Sequence, residues 1–346
     1  MSAEKNTPFN EQVCVKTVEM HTAGEPLRII VSGFPKIEGR TILDQRRYVK
    51  EHLDHYRKLT VNEPRGHFDM YCALLVEPSV PEADIAVLFM HNEGYSTMCG
   101  HAVISLGRYA VDAGLIKEPT IPETKVNIQC PCGLVTAYVQ YDGKKTGSVR
   151  FHSVPAFVYK TDVEVTVEPF GKIIVDISYG GTFYAFVAAH KLCLNLDTSM
   201  VKDLNKAADD ISAAVKREIK IESPENKDLG FLYGTIITDD NDSYSHIPTS
   251  NICVFADRQV DRSPCGSGVT ARIALQYHKG LIGLNQTRQF QSSTTKAIFT
   301  GKAVREVCVG QYKGVEVEVS GKGFYSGKSE FTLEEDDFIG HGFIIK

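Results

Sequence analysis

The sequence predicts an α+β protein made of two similar halves. Short period-two or continuously apolar runs dominate the chain, helical patterning is confined to a few places, and one segment occurs twice. The repeat is Cys99-Gly100 leading to Gly114-Leu115-Ile116, and Cys265-Gly266 leading to Gly280-Leu281-Ile282, an offset of 166 residues. Phe89 and Val103 match Phe255 and Val269, so Val87 to Ile116 holds seven identities in thirty positions against its second copy. Unrelated segments of ordinary composition would share about two.

Strands are expected at Tyr71 to Val76, Ile85 to Met90, Leu134 to Val139, Val149 to His152, Ile173 to Ile177, Phe183 to Ala188, Phe231 to Ile237, Ile252 to Phe255 and Val315 to Val319. Each is a short apolar or alternating run. Helices are expected over Leu43 to Lys58, over Met200 to Ile221 and after each repeated Cys-Gly. Ala102 to Val111 is apolar around most of its circumference, which predicts a buried helix with a sheet curled around it in each half. A chain of 346 residues exceeds the size at which a single core keeps growing. The break is expected near Val154 to Tyr159, giving a first domain at 1–155 and a second at 156–329.

Composition narrows the class. With 42% hydrophobic residues, 23% charged residues and a net charge of -5, the chain lacks the basic excess of a nucleic-acid binder. No apolar run approaches the eighteen or so residues of a membrane span, and the opening MSAEKNTPFNEQV has no apolar stretch of a secretory signal, so a cytoplasmic protein away from membranes is expected. Nine scattered cysteines, an odd number, point to reduced thiols rather than a disulfide framework.

The duplicated corner carries the chemistry. A cysteine at the first turn of a helix lies at the positive end of the dipole, which predicts a thiol acidified below its usual value of about 8.5. The N–H groups of Gly100 and His101, and of Gly266 and Ser267, are placed to bind a carboxylate. Two such corners related by a pseudo-twofold put one cysteine on each face of the adjacent carbon, the geometry for exchanging an α-hydrogen with inversion. That chemistry requires neither a metal nor a redox step. Cys14, Cys72, Cys193, Cys253 and Cys308 sit in or beside apolar runs and read as packing residues. Cys130-Pro131-Cys132-Gly133 reads as a turn between strands, because no second pair lies at zinc-site spacing. Gly327-Lys328-Ser329 also reads as a turn. Phe255 is a candidate ring contact, with a place in the strand core as the alternative.

Met98-Cys99-Gly100-His101 and Asp261-Arg262-Ser263-Pro264-Cys265-Gly266-Ser267-Gly268 together resemble the proline racemase family. His21-Thr22-Ala23-Gly24-Glu25-Pro26, Arg65-Gly66-His67 and Gly180-Gly181-Thr182-Phe183-Tyr184-Ala185 extend the resemblance over nearly the whole chain. The resemblance implies a diaminopimelate epimerase-like fold, with two barrel-like sheets around central helices, the site between them, and a C-terminal strand at about 330–346 returning to the first domain. It further implies a homodimer, no cofactor and no pyridoxal phosphate, and a small-molecule substrate, proline or a hydroxyproline. Cys99 and Cys265 would be the acid/base thiols, and Gly100, His101, Gly266 and Ser267 would hold the carboxylate. Asp261 and His101 would receive the ring nitrogen, with Arg262 structural.

Within that family, proline racemases and hydroxyproline 2-epimerases keep both cysteines, whereas trans-3-hydroxy-L-proline dehydratases carry threonine or serine in place of the second. Cys265 therefore leads to the expectation of a proline racemase. The run Gly266 to Gly280, however, looks like the animal dehydratase. Trans-3-hydroxy-L-proline dehydratase and 4-hydroxyproline 2-epimerase are the alternative readings, and a non-catalytic imino-acid binder is a third.

Overall fold

The structure, a computed structural model, describes residues 13–345. The polar amino-terminal stretch lies outside the described residues except for Val13, where the first strand begins. The first half runs β1 (Val13–Thr22), β2 (Glu25–Ser32), α1 (Ile42–His52), α2 (Asp54–Val61), β3 (Tyr71–Val76), β4 (Ile85–His91), β5 (Gly94–Ser96), α3 (Gly100–Asp112), β6 (Glu123–Cys130), β7 (Gly133–Tyr141), β8 (Thr146–His152) and β9 (Ala156–Val167). The second runs β10 (Gly171–Tyr179), β11 (Phe183–Ala188), α4 (Val201–Glu218), β12 (Leu232–Thr238), β13 (Thr249–Phe255), β14 (Gln259–Asp261), α5 (Gly266–His278), β15 (Arg288–Ser292), β16 (Ile298–Val309), β17 (Tyr312–Gly321) and β18 (Gly323–Leu333).

The repeat seen in sequence extends to topology. β1 to β8 pair as an antiparallel and parallel succession that β10 to β17 reproduce pairing for pairing, including the parallel steps β2 to β3 and β4 to β6, matched by β11 to β12 and β13 to β15. The halves share their last strands: β9 pairs with β10, β18 pairs with β1, and β17 meets both β8 and β9. One continuous mixed sheet results, and its two curled parts enclose α3 and α5. The fold is thus α+β, as the sequence predicts.

Burial explains why these helices read as apolar all round. Ala102, Val103, Ile104, Leu106 and Ala110 of α3 are wholly inaccessible, and α5 is buried from Gly266 through Gln276. A helix inside a sheet has no solvent face to keep polar. The surface helix α4 shows the opposite pattern, burying Leu204, Ala208, Ile211 and Val215 on one face. Among the described residues no helix is long and apolar enough to cross a membrane.

Several local expectations need correction. Leu43 to Lys58 is two helices, because Leu53 leaves helical geometry at φ -123°, ψ 15°, while a Thr41–Asp44 capping box fixes the start of α1. Gly327-Lys328-Ser329 is no turn: it lies within β18, paired with Glu19, Val18 and Thr17 of β1, a distant partner that local sequence does not reveal. Cys193 and Cys308 are exposed rather than packed, the first closing a short 3-10 turn and the second on the solvent side of β16. Cys14 is only half-buried, its thiol donating to Glu330 at 3.0 Å. Cys130 and Cys132 do flank the turn from β6 into β7, and both are buried.

Candidate active site

The mouths of α3 and α5 meet head to head. In each helix the first intrahelical bond returns to the cysteine carbonyl, Val103 N to Cys99 O at 3.0 Å and Val269 N to Cys265 O at 2.7 Å. The three N–H groups after each cysteine precede that bond and are left for another acceptor. Gly100 and Gly266 touch: a Cβ on Gly266 would lie within 2.5 Å of the Gly100 Cα, and one on Gly100 would strike the Gly266 backbone. Each helix end carries about half a positive charge, so their meeting point favours an anion. The two corners are not copies in backbone. Cys99 is extended at φ -148°, whereas Cys265 sits at φ +68° in the left-handed region. A strained non-glycine residue of this kind stays put only when its surroundings hold it.

Loops from both halves hold it. Ser263 Oγ accepts from Cys265 N at 3.0 Å, Asp261 Oδ1 accepts from Ser263 N at 2.8 Å, and Asn251 donates to the Pro264 carbonyl at 3.1 Å. The β1–β2 turn, with Ala23 at φ +56° and Gly24 at φ +87°, brings two side chains to the site. Thr22 bonds the His101 carbonyl at 2.9 Å and Ser105 at 2.7 Å, and the wholly buried Glu25 accepts from the Arg262 backbone at 2.7 Å and its guanidinium at 3.3 Å. Arg262 is therefore a strap between halves. Gly180 and Gly181 fit where a side chain would strike the Ser267 carbonyl and Met98, and Thr97 donates to the Gly181 carbonyl at 2.9 Å. Arg65 ties the chain end, bonding Gly340 O at 2.6 Å.

Between the corners lies a narrow cavity lined by Cys99, Gly100, His101, Asp261, Cys265, Gly266 and Ser267. All the residues singled out from sequence come together there, as does Phe255. Sequence reasoning missed Tyr71, Tyr184 and Tyr233, which complete the wall. Tyr184 stands inside a quoted motif, but Tyr71 and Tyr233 lie at the starts of ordinary-looking strands, first in β3 and second in β12, that carry no local signal.

Electrostatics correct one expectation outright. Burial pushes the Cys99 thiol well above the ordinary thiol range, although the Ala102 N–H and the Tyr71 hydroxyl favour its thiolate. The helix-end effect is real but smaller than the loss of water in a closed cleft. Burial also lowers His101 to about 3, so the ring is neutral, with one nitrogen on the Pro26 carbonyl and Nδ1 3.1 Å from the Cys99 sulfur. The Asp261 carboxyl is raised to about 6 by burial, against hydrogen bonds from Ser263 and Cys265. On the second face Cys265 lies 3.5 Å from the Tyr184 hydroxyl, which in turn is 2.9 Å from Ser267 Oγ.

Residues 17–344 match proline racemase as a family. The chain belongs to the proline racemase family. Trans-L-3-hydroxyproline dehydratase of Saccoglossus kowalevskii is 61% identical over 327 residues, covering 94% of this chain and all of that protein. Trans-3-hydroxy-L-proline dehydratase of Homo sapiens is 57% identical over 335 residues, covering 96% of this chain and 95% of that one. Among solved structures, a hydroxyproline epimerase from Agrobacterium vitis with bound trans-4-hydroxy-L-proline superposes with a TM-score of 0.89 at 26% identity, covering 96% of each chain. These relatives overturn the expectation of a proline racemase, since the family members that share well over half of this chain's residues are dehydratases. The expectation rested on the second thiol. Elimination needs proton removal on one face only, so a thiol on the other face does not by itself make the reaction a racemisation.

Proposed function

We propose that the chain dehydrates trans-3-hydroxy-L-proline, a reading carried by full-length similarity to dehydratases joined to a cavity that offers a thiol beside a carboxylate-binding pair of helix mouths. The carboxylate sits on the N–H groups of Gly100, His101, Gly266 and Ser267. The ring ammonium meets Asp261, with neutral His101 as a second acceptor. Arrival of that cation also favours ionisation of Cys99, which burial otherwise keeps protonated. Cys99 then takes the α-proton, and negative charge passes to carboxylate oxygens already facing N–H donors. Departure of the 3-hydroxyl as water leaves a cyclic enamine acid, which tautomerises to the imine.

Asp261 must be anionic to hold the ammonium, and its carboxyl lies at about 6. The sign follows: protonation of Asp261 adds an acid limb below that pH, a further loss of about tenfold per unit, while above it kcat/KM keeps rising as the buried Cys99 thiol gives up its proton. A pH–rate profile of the wild type and of Asp261→Asn checks this, the variant being slow and without the acid limb.

Cys265 supports a second, minor reading. A thiol on the opposite helix mouth can return a proton to the other face before water leaves, giving the 2-epimer of the substrate. Incubation with trans-3-hydroxy-L-proline, trans-4-hydroxy-L-proline and L-proline in heavy water, followed by chiral mass spectrometry, tests both. Water loss confined to the 3-hydroxy compound is the expected result, with a smaller amount of deuterated epimer. Cys265→Ser should lower epimer relative to dehydration product by about 100-fold, the lower end for loss of a positioned acid. Turnover of the 4-hydroxy compound alone would defeat the dehydratase reading.

A further inference from the structure

The dehydration proposed above needs a proton donor for the leaving hydroxyl, and stereochemistry restricts where it stands. In trans-3-hydroxy-L-proline the carboxylate and the hydroxyl lie on opposite faces of the ring. The α-hydrogen, opposite the carboxylate, is therefore on the hydroxyl's own face. Removal of both is a syn process, so the donor belongs on the same side as the base and not beside Cys265.

We infer that Tyr71 is the acid that protonates the departing 3-hydroxyl, because it lines the cavity on the Cys99 and His101 side with Ser96 bonded to its hydroxyl. It is the first residue of β3, almost fully buried, and lines the cavity with Cys99; its ring faces His101, whose Nδ1 is 3.1 Å from the Cys99 sulfur. Tyr184 stands instead with Cys265, at 3.5 Å, on the opposite side. Tyr71 is held firmly: its hydroxyl bonds Ser96 Oγ, and its ring lies edge-on to His101 with centroids 5.0 Å apart. Ser96 is itself inaccessible and also reaches the Met98 carbonyl at 3.5 Å, so it can turn to support a phenolate. Burial raises the phenol well above its usual range, which keeps the proton in place until a stronger demand appears. His101 is on the same side but is neutral and commits a ring nitrogen to Pro26. Tyr233 also lies near Cys99, but its ring is stacked on Phe255 at 5.3 Å and edge-on to Tyr184 at 5.9 Å, toward the Cys265 side.

The step balances within the site. The Cα–H bond breaks, its proton goes to the Cys99 thiolate and its electron pair forms the C2–C3 double bond. The C3–O bond breaks, its pair leaves with oxygen, and Tyr71 supplies the proton that makes water. The Cys99 thiol then returns a proton to the Tyr71 phenolate within the shared cavity, restoring thiolate and phenol.

The inference rests on the dehydratase reading, so the wild type is assayed first: no water loss from trans-3-hydroxy-L-proline overturns that reading and this one with it. With wild-type dehydration in hand, Tyr71→Phe is compared for water elimination and for deuterium entry at C2 of recovered substrate. Elimination is expected to fall about 10²- to 10⁴-fold, the range for loss of a general acid, while exchange changes less than about tenfold. The second substrate is trans-3-fluoro-L-proline, whose fluoride leaves without being protonated. Tyr71→Phe should eliminate fluoride at a rate within about tenfold of wild type, a rescue that a merely structural role for the phenol would not give. Equal loss of water elimination, exchange and fluoride release would overturn the assignment, as would undiminished dehydration, which would make Cys99 the carrier of its own proton to the hydroxyl.

Discussion

Replacing Cys99 with alanine is expected to abolish turnover, lowering both dehydration and solvent exchange at Cα by about 10⁴-fold, the upper range for loss of a positioned base. Serine should do little better, since an alcohol is a far weaker acid than a thiol and no neighbour in the site is basic enough to ionise it: His101 is held near 3 and Asp261 near 6. Exchange is the informative readout because it reports proton removal whether or not the hydroxyl later leaves. The effect should exceed that of any change at Cys265, which serves the face that elimination does not use. Retained exchange in Cys99→Ala would assign proton removal to Cys265 and reverse the faces.

Gly266→Ala is expected to fail for a different reason. Its Cβ would meet the Gly100 backbone within 2.5 Å, and backbone, unlike a side-chain tip, cannot swing aside. The helix mouths would have to separate, and with them the paired N–H groups. Overpacking of a tight interior contact costs about 1–3 kcal/mol, and the loss of carboxylate binding adds to it in function. A lowered melting temperature, together with loss of the thermal shift that substrate gives the wild type, is the expected result. Gly100→Ala should behave alike, since the contact is mutual. A variant that melts and binds normally would show that the helices do not share one anion.

Much of this site was legible in sequence because it was written twice. The recurrence of Cys-Gly before an apolar helix located both helix mouths, and the all-round apolar pattern of Ala102 to Val111 located the enclosing sheet. The hidden features depend on distant partners. Tyr71 comes to the cavity on β3, which is set between β2 and β4, and Glu25 meets Arg262 across more than two hundred residues. Gly327 looked like a turn because β1, which straightens it into a strand, is at the other end of the chain. The state of the Cys99 thiol was misjudged for a related reason: a dipole is local and readable, whereas burial is a property of the closed fold. The reaction was misjudged because Cys265 records what the second face is able to do, not which bond breaks first.

The pairing of β1 with β18 sets a timetable for biosynthesis. Residues Val13 to Thr22 leave the ribosome early, and the strand that completes their sheet is made more than three hundred residues later. At about 5–20 residues per second the wait is roughly 15–60 s. Through that time one side of β1 is an open edge able to pair with a neighbouring nascent chain. The first half therefore reaches its final form only after the second has been synthesised, and until then the open side of β1 is where neighbouring nascent chains can meet.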